Sequence, residues 1–312
     1  MSVYAYFGPA GTFTEMALDQ LLAEESTRDT GVRTVPAASP AATVDMVRSG
    51  AADYACVPIE SSLEGSVPAT MDALVPHPER GVDRVQVFAE TLLPIAFTIA
   101  TAGGDVPVRR IAAYPVAAAQ VRESVQKLYP DAEFVTASSN AAAAQDVAAG
   151  HVDAAVTTRP AAELSGLTVV ADGVADAPDA ATRFLLVGRP GPPPPRTALD
   201  RTAVILELSN NPGSLMAAMN EFASRGVDLT RIESRPRRDV PGGDNARQYR
   251  FFLDALGHID DDAIAEALQA LHRRTDQVVY LGSWPARQGV GTPPPDHAPA
   301  REWLDRMRRG EG

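Results

Sequence analysis

The chain is poor in reactive side chains. One cysteine, Cys56, and one lysine, Lys127, stand among 312 residues. A lone cysteine excludes an internal disulfide and suits a reducing compartment. A lone lysine leaves Schiff-base chemistry a single candidate, and its S-x-x-K spacing from Ser124 falls within an amphipathic helical pattern. The five histidines (His77, His151, His258, His272 and His297) keep no metal-ligand spacing from one another or from Cys56. No metal site is therefore expected. G-x-S-x-G, Walker-type and G-x-G-x-x-G loops are missing, so hydrolase, kinase and nicotinamide chemistries lose ground. No apolar run reaches the length of a membrane span. The opening "MSVYAYFGPAGTF" has no basic stretch followed by an apolar one, so no signal peptide is read and the cytoplasm is the expected location.

What is present describes a globular protein: 45% hydrophobic and 22% charged residues, with a net charge of -12. That charge argues against nucleic acid and anionic membranes as partners. An anionic small substrate stays open, because arginines inside a cleft outweigh the distant net charge. The length suffices for two domains.

The strongest punctuation is "GRPGPPPPRT", which favours an extended spacer and excludes helix or central strand. It sets the expected boundaries: a first domain over 1–188, a proline-rich linker over 189–200, a second domain over 201–285 and a largely disordered tail over 286–312. Within the tail, Trp303, Leu304 and Met307 share one side of a short helical pattern. Before the linker, apolar runs such as "VYAYF", "YACVPI", "LLPIAFTIA" and "TRFLLVG" alternate with helical segments such as "VAAAQVRESVQKL". The class is α/β, with strands enough for two lobes and ligands expected beyond the strand ends. After the linker the order is βαββαβ, a ferredoxin-like unit whose sheet edges invite pairing with another chain.

Polar clusters gather at strand-to-turn junctions. "FGPAGTFTE" sets Gly8 and Gly11 between a strand and a helix start, where backbone N–H groups favour an anion. An ordinary βα turn also needs glycine there. "PIESS" at 58–62 and "TTRP" at 157–160 read as donor-rich loops or as helix caps. Thr182 and Arg183 put a neutral donor and a fixed cation at the head of an apolar strand. Four such loops together weigh more than any one.

On these residues the chain resembles prephenate dehydratases. The motifs "GPAGTFTE", "ADYACVPIESSLEGSV", "TRF", "NNPGSLM" and "ESRP" occur in order across residues 1–285. The resemblance implies a two-lobed, periplasmic-binding-protein-like (type II) catalytic domain followed by an ACT regulatory domain. It implies a carbon–oxygen lyase without cofactor or metal, which turns prephenate into phenylpyruvate in phenylalanine biosynthesis. It marks Thr182, Arg183 and Phe184 as catalytic, and Gly11, Thr12, Glu60, Ser61, Ser62, Gln120 and Thr157 as substrate-binding. It places phenylalanine at Asn211, Pro212, Gly213, Ser214 and Leu215 of one subunit and at Glu233 and Ser234 of another, in a homo-oligomer (dimer or tetramer) joined through ACT domains. Three departures stand out: Ser61 where the family carries asparagine, Ala113 where it carries serine, and "GSLM" where it carries GALV. Arogenate dehydratase and a non-catalytic aromatic amino-acid sensor are the alternative functions.

The implied mechanism follows from the substrate. Prephenate is a dianion that aromatises as carbon dioxide and hydroxide leave. Arg183 and N–H groups near Gly11 are expected to hold carboxylates, Thr182 to steady the leaving oxygen, and Phe184 to pack on the ring.

Overall fold

The computed structural model describes residues 1–24, 31–77, 81, 83–104, 107–237, 248–287 and 291–311. Two compact units emerge, the first made of residues 1–73 and 91–186, the second of 74–90 and 187–312. The border at 186/187 lies near the expected one. The inclusion of 74–90 in the second unit has no counterpart in the sequence reading.

The first unit holds two lobes. The chain runs through β1 (Ser2–Phe7), α1 (Phe13–Glu24), β2 (Val32–Ala37), α2 (Pro40–Arg48), β3 (Tyr54–Ser61), β4 (Gly65–Ser66), α3 (Pro68–Leu74) and β5 (Gln86–Pro94). It then crosses to the second lobe for β6 (Thr98–Thr101), β7 (Arg110–Ala113), α4 (Pro115–Gln120), α5 (Arg122–Leu128), β8 (Glu133–Thr136), α6 (Asn140–Ala148), β9 (Ala154–Thr157), α7 (Arg159–Leu164) and β10 (Thr168–Asp172). It returns as β11 (Ala181–Gly188), so the first sheet reads β2-β1-β3-β11-β5 and the second β10-β6-β9-β7-β8. Ser39 caps α2 by accepting from the Ala42 N–H at 3.1 Å, with Pro40 in the first turn.

Two elements differ from expectation. The run 92–100, read as one strand, is divided between β5 and β6 because the chain leaves one sheet for the other after Pro94. The two crossings are tied where the Ile95 N–H donates to the Ala180 carbonyl at 2.8 Å. The long helix expected after Tyr114 is two short ones, broken at Val121 (φ -126°, ψ 12°). Asp176, on the returning crossing, explains the break. Its N–H donates to the Gln120 carbonyl at 2.7 Å, and its carboxylate accepts the N–H groups of Glu123 and Ser124, each at 3.0 Å.

The second unit is a ferredoxin-like βαββαβ fold: β12 (Asp200–Glu207), α8 (Ser214–Ala223), β13 (Leu229–Pro236), β14 (Tyr249–Leu256), α9 (Asp262–Arg274) and β15 (Gln277–Pro285), with a further helix α10 (Ala298–Arg308). Its sheet is antiparallel in the order β13-β14-β12-β15. Val204, Leu206 and Leu253 of the sheet pack against Ala218 and Phe222 of α8 and Ile264, Ala267 and Leu271 of α9. Asp262 opens α9 and His272, Arg273 and Arg274 close it, matching the helix dipole.

The linker is tied down along its length: Gly191 exchanges hydrogen bonds with the Gln86 amide, the Pro194 carbonyl meets His258 Nε2 at 3.0 Å, and Arg196 pairs with Asp261 at 2.7 Å. The tail, expected to be largely disordered, carries contacts and a helix over its described residues 291–311, and residues 288–290 lie outside the described residues. The Thr292 N–H donates to Asp228 at 2.9 Å, Arg301 pairs with Asp262 at 2.8 Å, and α10 follows. Prolines removed helix and strand from the sequence reading, but extended segments still bond through carbonyls and flanking side chains.

Candidate active site

The head of β11 is the centre of the arrangement. Ser62 clasps its first residue twice: the Ser62 N–H donates to the Ala181 carbonyl at 2.9 Å, and the Ala181 N–H donates to Ser62 Oγ at 3.0 Å. Two residues on, Arg183 pairs with Glu60 of β3 (Nη2 to Oε2, 3.2 Å). The fold thus brings Glu60, Ser62, Thr182 and Arg183 together from stretches about 120 residues apart. Thr182 lies between these anchors, half-buried, and its hydroxyl has no hydrogen-bond partner among the described residues. A regular strand turns successive side chains to opposite faces. Thr182 and Phe184 therefore share one face of β11 and Arg183 takes the other. Arg183 is 8% exposed and committed to Glu60, and Phe184 is 2% exposed, inside the lobe. Ser61 serves its own loop, accepting the N–H groups of Leu63 and Glu64 at 3.3 Å each.

The glycine turn is occupied from within. Gly11 adopts φ +81°, and its N–H, a candidate anion donor by sequence, donates to Glu15 Oε2 at 2.6 Å. The other Glu15 oxygen accepts from the Tyr6 hydroxyl at 2.7 Å, and burial together with that carboxylate pushes the Tyr6 pKa well above its ordinary value. Thr12 Oγ1 donates to the Phe7 carbonyl at 3.3 Å and the Thr12 carbonyl accepts the Met16 N–H, so Thr12 opens α1.

The second lobe brings its own polar side chains. Thr157 is fully buried and donates to the Asn140 carbonyl at 2.7 Å, which ties β9 to the start of α6. Its neighbour Thr158, also fully buried, accepts the Ala161 N–H at 3.2 Å and donates to the Gly11 carbonyl of the first lobe. Sequence reasoning read Thr158 as part of a donor-rich loop or as a cap before Pro160; the bond to the other lobe was not foreseen. Gln120 ends α4; its Oε1 is buried without a hydrogen-bond partner among the described residues. At the end of β7, Ala113 is 2% exposed and belongs to the second lobe's core cluster.

In the second unit the "NNPGSL" loop turns on itself. The Asn211 N–H donates to the Ser209 carbonyl at 2.8 Å, and the Ser214 N–H donates to the Asn211 carbonyl at 3.1 Å. Gly213 at φ +86° directly precedes α8, so the helix starts at Ser214. Ser209, Ser214, Glu221 and Arg274 line a cavity of about 110 Å³ beside this loop. Glu233 and Ser234 lie in register with Phe252 and Phe251 of β14, which in turn face Ile205 and Leu206 of β12. Two strand spacings, about 10 Å, therefore separate β13 from β12, the strand that feeds the loop. At the same end of the sheet Arg237, just past β13, pairs with Glu207 at the end of β12 at 2.7 Å.

Among the described residues no helix is long and apolar enough to cross a membrane. A family model described as prephenate dehydratase matches residues 4–192, ending inside the proline-rich run. The prephenate dehydratase of Mycolicibacterium smegmatis is 53% identical over 317 residues, which cover 99% of this chain and 98% of that one. The crystal structure of prephenate dehydratase from Arthrobacter aurescens in complex with L-Phe superposes with a TM-score of 0.86 at 37% identity, covering 98% of this chain and 99% of that one. The solved structure of GqqA, described as a novel type of quorum quenching acylase, aligns with a TM-score of 0.77 at 30% identity over 91% of this chain and 98% of its own.

Proposed function

The chain belongs to the prephenate dehydratase family, and from that premise we propose that its reaction runs between the lobes of the first unit, with the Thr182 hydroxyl as the donor to the leaving oxygen. The protein is a carbon–oxygen lyase of phenylalanine biosynthesis. The ring carboxylate leaves as carbon dioxide, and the electron pair of that carbon–carbon bond enters the ring. The ring carbon–oxygen bond breaks, and the departing hydroxide takes a proton to become water. Aromatisation drives the step, so the protein's tasks are to orient a dianion, steady the departing oxygen and exclude water.

One observation carries the assignment. Thr182 is the uncommitted donor in a head of β11 otherwise pinned by the Ser62 clasp and the Arg183–Glu60 pair. A threonine hydroxyl is a poor acid, so a hydrogen bond that strengthens as charge develops fits better than full proton transfer. Arg183 acts through Glu60 by holding β11 against the β3 loop. Thr12 from one lobe and Gln120 from the other complete the polar set around the substrate. Phe184 shields the site from beneath Thr182 and keeps it apolar.

The second unit, in this reading, is the regulatory ACT domain. Phenylalanine binds between "NNPGSL" of one subunit and Glu233 and Ser234 of the next, in a dimer or tetramer. The exposed Ile232 on edge strand β13 supports an intersubunit site. A cytoplasmic location accords with the buried free thiol of Cys56.

The test is to mix the purified protein with prephenate at neutral pH and follow phenylpyruvate with and without phenylalanine, with arogenate in a parallel reaction. Turnover of prephenate that phenylalanine alters is the expected result. Turnover of arogenate alone, or binding without turnover, replaces this reading with one of the alternatives.

A further inference from the structure

The Gly-Thr-Phe stretch 11–13 reads from sequence as an anion cradle, but it is held from both lobes. The Gly11 carbonyl accepts from the Thr158 hydroxyl at the entry to α7. A Cβ on Gly11 would stand 2.8 Å from both Cα and Cβ of Ala161, closer than real side chains come, so only glycine lets the first turn of α7 approach. Two residues on, the Phe13 ring meets Phe97 edge-on, centroids 5.4 Å apart and planes at 81°. Phe97 belongs to the second lobe's core with Ile99, Ile111 and Val156, and Phe13 packs against that cluster. Meanwhile Glu15 and Tyr6 hold the Gly11 N–H from the first lobe's side. The turn is therefore fixed to its own lobe through the N–H and to the other through the carbonyl.

We infer that Gly11 and Phe13, with Thr158 and Phe97, form a dry latch that holds the two lobes at catalytic spacing, and that Thr158 is a positioning residue of the reaction. This rests on the placement of the substrate between the lobes. The chemistry is specific. Thr158 Oγ1 accepts from Ala161 and donates to Gly11, using its hydroxyl in both roles. Both Thr158 and Gly11 are buried, so water does not readily replace the lost partner. The latch uses only the chain's own groups, so it favours the latched arrangement whether or not substrate is bound. Removing it lowers the competent fraction, and apparent affinity falls in proportion to that fraction while turnover of bound substrate is kept.

The experiment compares Thr158→Val, Thr158→Ser and Phe13→Leu with the unaltered full-length protein, using steady-state kinetics on prephenate and thermal unfolding. Valine keeps the shape and removes the hydroxyl. We expect Thr158→Val to raise KM by a factor between about three and ten, the upper value matching the loss of about 1.4 kcal/mol in one buried hydrogen bond, with kcat within twofold. Thr158→Ser should restore KM to within twofold. Phe13→Leu, on the other contact, should show the same split. A merely structural role for Thr158 would lower kcat through loss of folded protein and leave KM alone; that pattern, or an unchanged KM in Thr158→Val, overturns the latch. Thr182→Ala measured beside them reports the substrate placement through kcat, so failure of the site and failure of the latch give different signatures.

Discussion

Replacing Thr182 with alanine tests the chemistry most directly. The substitution removes one hydroxyl and one methyl from a half-buried position at the head of β11. Because the hydroxyl has no partner among the described residues, its removal orphans no other group. The clasp between Ser62 and Ala181 and the Arg183–Glu60 pair do not involve it. Stability should therefore change by less than about 1 kcal/mol, as for substitutions outside the core. Catalysis should respond differently. A donor aimed at an oxygen that gains charge in the transition state is typically worth about 10²–10³ in kcat, or about 2.7–4 kcal/mol. The expected result is a kcat at least about 100-fold lower with KM little changed, since the interaction forms mainly as the bond breaks. Thr182→Ser should keep much of the rate. The assay is phenylpyruvate formation at neutral pH against an enzyme-free blank, because prephenate aromatises by itself in acid. Wild-type turnover in Thr182→Ala would remove the residue from the mechanism. A loss of rate matched by a loss of folded protein would refute the argument that the hydroxyl acts only on substrate.

The second unit offers a stability test: Arg201 Nη1 meets both oxygens of Glu90 at 2.8 and 2.6 Å, the two side chains 8% and 2% exposed. Removing one partner, as in Glu90→Gln or Arg201→Met, should cost about 3–5 kcal/mol, while Glu90→Met with Arg201→Met should recover most of that loss in a denaturant titration. Equal loss in the double variant would refute the buried-charge argument. At Gly213 (φ +86°), Gly213→Val should shift the start of α8 and weaken phenylalanine's effect on turnover at least several-fold, with basal kcat kept; unchanged inhibition would move the effector site elsewhere. The Asp172 carboxylate is held below its ordinary pKa, first by the hydrogen bond from Arg159 (2.6 Å) and then by Thr98 (2.7 Å). A depressed folded value adds stability that is fully present above the unfolded pKa of about 3.9 and is lost as pH falls through the lower folded value. Asp172→Asn should flatten the acid limb of a melting-temperature profile below about pH 4, and more so at low salt because both groups are about half exposed.

Much of the architecture was legible before any coordinates. The βα alternation, the proline run and the βαββαβ order after it all follow from local patterns, because hydrophobic period and turn chemistry are encoded within a few neighbouring residues. Four strand-end loops stood out for the same reason, as runs of donors where a plain turn would have served. The motif order was also enough to reach the family. What the reading missed involved partners far apart in the chain. It read LLPIAFTIA as one strand, since nothing local reveals that the chain changes sheets after Pro94. It read one helix through Val121, since the carboxylate that interrupts it arrives from Asp176.

The amino-acid sequence by itself determined the class of each element, the division into two α/β lobes and a ferredoxin-like unit, and the residue types able to serve an aromatising loss of carbon dioxide and hydroxide. Only the tertiary structure decided which of those residues are committed. It commits Arg183 to Glu60, the Gly11 N–H to Glu15 and Thr157 to Asn140, and leaves Thr182 uncommitted. The reason is physical: a side chain's chemistry is set by its own atoms, but its availability depends on what folding places within about 3 Å of it.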